Sequence, residues 1–304
     1  MFRMLLLLLI AVAAAVSPPT VSVREAQYVA DCEKQGDFSP YLGKFVRLDK
    51  VFVTSASAFR FTVSDSAAVA AWSSVAVSVP RLTPDLVAEG MRVSLTGRVS
   101  EYGAETVLTD VGELIVHAEL KTATIVPAAL TTAELAATGS CAEERWEGAL
   151  VRVDGARILS DADGAGTMLI DDGSGTAAAN AAFLWPTDAA PSLGAELRNQ
   201  WADATTDDSD DAWAARSLKG ATLESLVGVV VFVAPLYEIV ARFPGDAVAG
   251  GAPAGADNEK VAISAIQDVS SRRARKPNAF DEPLRDFSFL ASGNIRGAFK
   301  PAGP

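Results

Sequence analysis

Gly43-Lys44-Phe45-Val46-Arg47-Leu48-Asp49-Lys50 and Gly148-Ala149-Leu150-Val151-Arg152-Val153-Asp154-Gly155 are two copies of one pattern. Each runs glycine, two variable positions, then valine, arginine, an apolar residue and aspartate, alternating as the two faces of a strand do. A strand signature repeated within one chain predicts two copies of one domain.

A second pair of stretches agrees. Leu95 to Val99 reads LTGRV and Leu226 to Val230 reads LVGVV. Gly43 and Gly148 are 105 residues apart, whereas Gly97 and Gly228 are 131 apart, so the second repeat carries 26 extra residues. Surface loops absorb insertions at small entropic cost. The Ala-, Asp- and Trp-containing stretch Thr187 to Leu218 is the expected location. A chain of 304 residues holds two domains, each with its own core.

Alternating runs predict an all-β fold. In the first repeat the expected strands are 45–54, 59–63, 75–79, 92–100 and 106–118. In the second they are 151–159, 167–171, 181–184, 227–233 and 237–243. Five short strands in each repeat match the size of an OB-type barrel, so the expectation is two tandem OB-like five-stranded barrels with a short C-terminal tail. Pro80 to Glu89 reads as a short helix or turn. Pro244, with fixed φ and no N–H, ends the last strand. The expected divisions are a signal peptide at 1–17, repeats at 18–125 and 126–244, a Gly/Ala/Pro-rich linker at 245–257 and a basic tail at 258–304.

Arg3 precedes an unbroken apolar run from Leu5 to Val16, with Ala13 and Ala15 spaced as signal peptidase prefers and prolines at 18 and 19. This is the three-part pattern of a secretory signal, and it is shorter than the roughly 20 residues a membrane span needs. An uncleaved anchor is the alternative. Leu226 to Leu236 is short and valine-rich and reads as a buried strand. The expectation is a secreted protein with no membrane span after cleavage. Its two cysteines, Cys32 and Cys141, permit one disulfide outside the cell or remain unpaired. A bridge closing so long a loop would add about 4 to 5 kcal/mol. One histidine and no CxxC exclude a cysteine–histidine metal site.

Charge divides the chain. Residues 18–259 hold 17 basic and 34 acidic side chains, a net of −17, and 260–304 hold eight basic and four acidic. An acidic body repels phosphate backbones. The tail cluster Arg272, Arg273, Arg275 and Lys276 can contact phosphate or an acidic surface, including the chain's own body. Phe287, Phe289, Leu290, Ile295 and Phe299 give the tail apolar side chains able to pack on the second repeat.

Glu144-Arg145-Trp146-Glu147-Gly148-Ala149-Leu150-Val151 is similar to the ERYEGMLV-like opening of the second of two OB-like accessory modules in secreted bacterial nucleases of the endonuclease/exonuclease/phosphatase type. Ser39-Pro40-Tyr41-Leu42-Gly43-Lys44-Phe45-Val46 resembles the SPLVGQxV-like opening of their first. The resemblance spans most of 31–243 and implies accessory modules. The catalytic domain of that family uses Asp, Asn, Glu and His around a divalent metal, including a late Asp-His pair. Here the one histidine is His117, in an expected strand, and only 258–304 follows the linker. The expectation is therefore a non-catalytic chain.

Among candidate site residues, Arg47 and Arg152 occupy equivalent positions and either face a ligand or pair with Asp49 and Asp154 two residues on. Phe59 and Phe61 share a strand parity and either stack on a ligand or pack in the core. Asp161, Asp163, Gly166 and Asp172 stand at positions 1, 3, 6 and 12 of a would-be calcium loop, or belong to a hairpin turn. Asp207, Asp208, Asp210 and Asp211 form an acidic cluster that is a solvated loop or a weak calcium site. Ser174, between two glycines, reads as turn chemistry. The function expected is binding of a nucleic acid, a glycan or an extracellular protein. The alternatives are a divergent accessory part of a secreted nuclease, or a structural surface protein.

Overall fold

The computed structural model describes residues 17–30, 38–57, 59–80, 86–102, 105–136, 142, 144–184, 192–204, 217–233 and 236–252. Cys32, Cys141, the four aspartates 207, 208, 210 and 211, and the basic tail cluster at 272–276 lie outside the described residues, as does the apolar leader.

The first repeat is a closed five-strand barrel. Its strands are β1 (Phe45–Ala56), β2 (Arg60–Ser64), β3 (Ser74–Ser78), β4 (Arg92–Tyr102) and β5 (Glu105–Val116), in the ring order β1-β2-β3-β5-β4. The β3–β5 pair is parallel and the other neighbours are antiparallel. Period-2 alternation sends Val46, Leu48, Val51, Val53, Phe61, Val63, Val75, Val77, Val93, Leu95, Val99 and Leu108 into one core. The inward parity of β1 would fail after Leu48 without a bulge. Lys50, at φ 51°, supplies the extra residue, and the register with β4 shifts there.

The second repeat forms β6 (Ala128–Ala129), β7 (Leu150–Asp154), β8 (Arg157–Ile158), β9 (Thr167–Asp171), β10 (Thr176–Asn180), β11 (Leu223–Val233), β12 (Leu236–Val240) and β13 (Ala247–Ala249). Its sheet is an open path, β6-β7-β11-β12-β10-β9-β8, with β13 also on β11. In this sheet β7 leads into β8 across Gly155, at φ 66°. Gly155 stands at the position of Lys50 in the first repeat. The pairings correspond as well. Val46 lies opposite Gly97 and Val151 opposite Gly228. Gly43 N–H donates to the Val99 carbonyl at 2.8 Å, and Gly148 N–H donates to the Val230 carbonyl at 2.9 Å. The β10–β12 pair is parallel, as β3–β5 is.

Four expected features differ. The single strand 151–159 is two pieces, because the positive-φ glycine breaks the ladder. The strand expected at 181–184 lies at Thr176–Asn180. Its Thr-Ala-Ala-Ala-Asn composition has little intrinsic β preference, and pairing with both β9 and β12 imposes the extended form. The expected linker begins with structure. A 3₁₀ turn at Pro244–Asp246 is tied by the Arg242–Asp246 pair at 2.7 Å, and β13 then resumes pairing along β11. The insertion is more than a loop. Helix Leu193–Ala204 crosses it, and Leu193 and Leu197 are fully buried in the second core.

Each repeat also has a matching lead-in that sequence reading missed. Thr20 bridges Arg47 in parallel, and β6 pairs with β7 in parallel. A short helix follows each, α1 (Val23–Gln27) and α2 (Thr132–Ala136). Ser22 and Glu25 form a capping box at α1, and Thr131 and Glu134 exchange the same two bonds at α2. A carboxylate from the loop after the second strand of each repeat holds the helix start: Asp65 accepts from Val23 and Arg24, Asp172 from Thr132.

Candidate functional site

The outward parity of β1, β4 and β5 builds one open face on the first barrel. Phe45 lies opposite Arg98, and Arg47 lies opposite Thr96. Arg98 pairs across to Thr109, and Thr96 to Glu113. Tyr102 follows Arg98 by four residues on the same parity, about 13 Å along the strand at ~3.3 Å per residue. Phe45 is 41% exposed, Tyr102 54% and Leu42, just before the strand, 44%. The Arg98 guanidinium lies 5.1 Å from the centre of the Phe45 ring, and Lys44 Nζ lies 5.3 Å from that of Tyr41. The face is thus a strip of exposed apolar rings spaced by polar and cationic groups.

The cations on it are partly neutralised. Arg47 donates to Glu113 at 2.6 Å, with Asp49 4.0 Å away, and Arg98 Nε lies 3.3 Å from Asp110. On the second repeat Arg152 pairs with Asp154 at 2.6 Å. Such exposed pairs hold side chains loosely and contribute little stability. Arg47 and Arg152 therefore occupy corresponding, solvent-facing places, each with a carboxylate beside it. Phe45 and Tyr102 were absent from the sequence-based candidates. The signal was present for Phe45, which shares the outward parity of Arg47 two residues away.

Phe59 and Phe61 part company. Phe59 precedes β2 and is 62% exposed, whereas Phe61 is fully buried in the barrel core. Phe61 cannot present its ring to a ligand, which corrects its place among the ligand-binding candidates. The outer face of β2 and β3 is also closed. Thr62, Ser64, Ser74 and Ala76 are buried there. Gln27 of α1 donates to the Ser74 carbonyl, and Gly148 of the second repeat sits close against the β3 backbone at Val75 and Ala76.

The would-be calcium loop is divided among separate tasks. Asp163 accepts the N–H groups of Ala165 and Thr167 within the turn, and Asp161 accepts from Ser217 and Leu218. Asp172 faces α2. Burial works against its charged form, but hydrogen bonds from Ser174 and Thr132 hold its pKa down at about 2. Ser174 in addition accepts the Ala133 N–H at 3.0 Å. Among the described residues no group of three or more His, Cys, Asp or Glu is arranged to hold a metal ion.

One constellation has the look of a nucleophile site. Ser94 Oγ lies 2.7 Å from His117 Nε2, and His117 Nδ1 lies 3.2 Å from Glu119. Ser94 is fully buried, however. It donates to Asp49 at 2.7 Å and accepts the Lys50 N–H at 3.0 Å. A substrate carbonyl has no access to that oxygen, and its hydrogen bonds secure the β1 bulge instead. The Ser94 bond lowers the Asp49 pKa, with Lys50, Arg47 and His117 adding to it against slight desolvation.

No helix among the described residues is long and apolar enough to cross a membrane. No protein-family model matches the chain, and no curated protein matches it.

Proposed function

We propose that the chain is an extracellular, non-catalytic binding protein of two OB-like modules, and that the first module takes a neutral glycan chain across its outer face. The observation that carries this reading is the exposed strip of Phe45 and Tyr102, with Leu42 at its edge and Arg98 between the rings. Aromatic faces stack on the apolar faces of sugar rings, and guanidinium groups donate to hydroxyls. A net charge of −17 over 18–259 disfavours a phosphate polymer on the same face. The matched hydrogen bonds of the two repeats support a second OB-like barrel whose first strand bends at Gly155. The resemblance to nuclease accessory modules agrees with a role in holding a polymer.

The test is a titration of the mature chain with neutral soluble glycans and with single-stranded DNA at two salt concentrations. Glycan binding that weakens about tenfold, or ~1.4 kcal/mol, in each of Phe45→Ala and Tyr102→Ala supports the proposal. Glycan binding indifferent to both substitutions would place the ligand elsewhere. Salt-sensitive DNA binding without glycan binding would favour the nucleic-acid reading, with the tail as its first suspect. Failure to bind either polymer would favour a protein partner.

A further inference from the structure

The two modules meet at a closed group of carboxyl side chains. Glu147, directly after the 3₁₀ turn Glu144–Trp146, is 2% exposed. Its Oε1 accepts the N–H of Thr106, in β5 of the first barrel, at 2.7 Å, and lies 3.4 Å from Gln27 Nε2 of α1. Its Oε2 lies 3.4 Å from the hydroxyl of Tyr237, in β12 of the second module. That same hydroxyl lies 2.6 Å from Glu144 Oε2. Glu105 and Glu144 are also buried, and Glu101 Oε1 accepts from Ser39 N–H and Thr106 Oγ1. Arg60 of β2 pairs with Glu105. Arg145 instead lies with its guanidinium 5.6 Å from the centre of the Trp146 ring.

The Tyr237 hydroxyl carries one hydrogen and faces two carboxyl groups. Given to Glu144 at the shorter distance, it is not there for Glu147. A neutral Glu147 carries its own hydrogen on that side and keeps its other oxygen for Thr106. An ionised Glu147 would instead place a charge that no cation among the described residues pairs with on a side chain almost wholly removed from water.

We propose that a proton held on Glu147 locks the two modules together, and that the junction loosens when this proton is lost. Burial, followed by the nearby Glu144, Glu105 and Glu101, pushes the Glu147 pKa well above 4.5, against the opposing bond from Thr106. A raised folded-state pKa gives a contribution to stability that is complete below the ordinary glutamate value. It is lost as pH rises through the folded value. The junction therefore tightens on mild acidification. Because Gly148 lies against β3, loosening would also uncover the closed outer face of the first barrel. This inference does not rest on the glycan proposal.

The test is amide hydrogen exchange at Thr106 and Gly148, corrected for intrinsic rates, from mildly acidic to mildly alkaline pH. In the wild-type chain protection should fall about tenfold per pH unit above the ordinary glutamate value, the change that one bound proton produces, and level off once the folded-state proton has gone. Glu147→Gln is neutral at every pH and should abolish that dependence. Equal profiles in the two proteins would overturn the proposal. Should Glu147→Gln fail to fold, a carbon-13 titration of the wild-type Glu147 carboxyl decides the matter. A midpoint in the ordinary glutamate range would refute it, and a raised midpoint at which the fall in protection levels off supports it.

Discussion

Asp172 and Thr132 clasp each other across 40 residues of chain. The Asp172 carboxylate accepts the Thr132 N–H at 3.1 Å and the Thr132 O–H at 2.6 Å, while the Asp172 N–H donates to Thr132 Oγ1 at 3.1 Å. Asp65 makes the corresponding capture in the first repeat, at 2.8 Å to Val23 N and 2.9 Å to Arg24 N. Each module is thus fastened to its own lead-in by a carboxylate that satisfies N–H groups a short helix cannot satisfy itself.

Removing either carboxylate should have a similar cost. Asp65→Ala and Asp172→Ala are each expected to lower stability by about 1 kcal/mol, within the ~0.5–2 kcal/mol range of lost helix caps. Urea denaturation midpoints at neutral pH measure this. A cost confined to one of the two would contradict the equivalence of the lead-ins.

The Asp172 clasp should fail in acid. Its pKa is lowered from 3.8 to about 2, so its contribution is present above the unfolded value and is lost as pH falls through the folded one. The stability gap between wild type and Asp172→Ala should therefore be constant near neutrality and shrink between about pH 4 and pH 2. A gap unchanged across that window would show that the carboxylate charge is not what holds α2.

Gly97 and Gly228 are equivalent in sequence but not in room. A Cβ on Gly228 would lie 2.6 Å from Ile239 Cγ2 and 2.7 Å from the Val240 carbonyl oxygen. On Gly97 the nearest atom would be the Thr109 carbonyl oxygen at 3.2 Å. Gly228→Ala is expected to cost about 2–3 kcal/mol through displaced backbone, and Gly97→Ala about 1 kcal/mol or less. Thermal denaturation of the two variants ranks them, and the reverse order would disprove the difference in clearance.

The two phenylalanines around β2 should separate cleanly. Phe61→Ala removes a fully buried ring and is expected to cost about 3–5 kcal/mol, whereas Phe59→Ala should change stability by no more than ~0.5 kcal/mol. Chemical denaturation checks both. A large cost at Phe59 would mean that its ring has a partner in solution.

The sequence by itself determined the repeat and the strands of the first barrel. Val46-Arg47-Leu48-Asp49 and its copy alternate strictly, and a residue whose neighbours point the other way declares its face without help from the rest of the chain. The same parity identified Arg47 and Arg152 as solvent-facing and would have identified Phe45. Local pattern could not find β10, because Thr176 to Asn180 is extended only by virtue of its two neighbours, nor β13, whose small residues resemble a linker. It could not separate Phe59 from Phe61, because the strand begins between them. It could not see that Glu147, Glu144, Glu105 and Glu101 share one enclosed space. Those carboxyl groups come from two segments that lie 39 residues apart from Glu105 to Glu144, and what each one's charge costs depends on which others the fold brings near. Periodicity is a property of neighbours along the chain and can be read there. Burial, clearance and protonation belong to neighbours across space, and only the tertiary structure decided them.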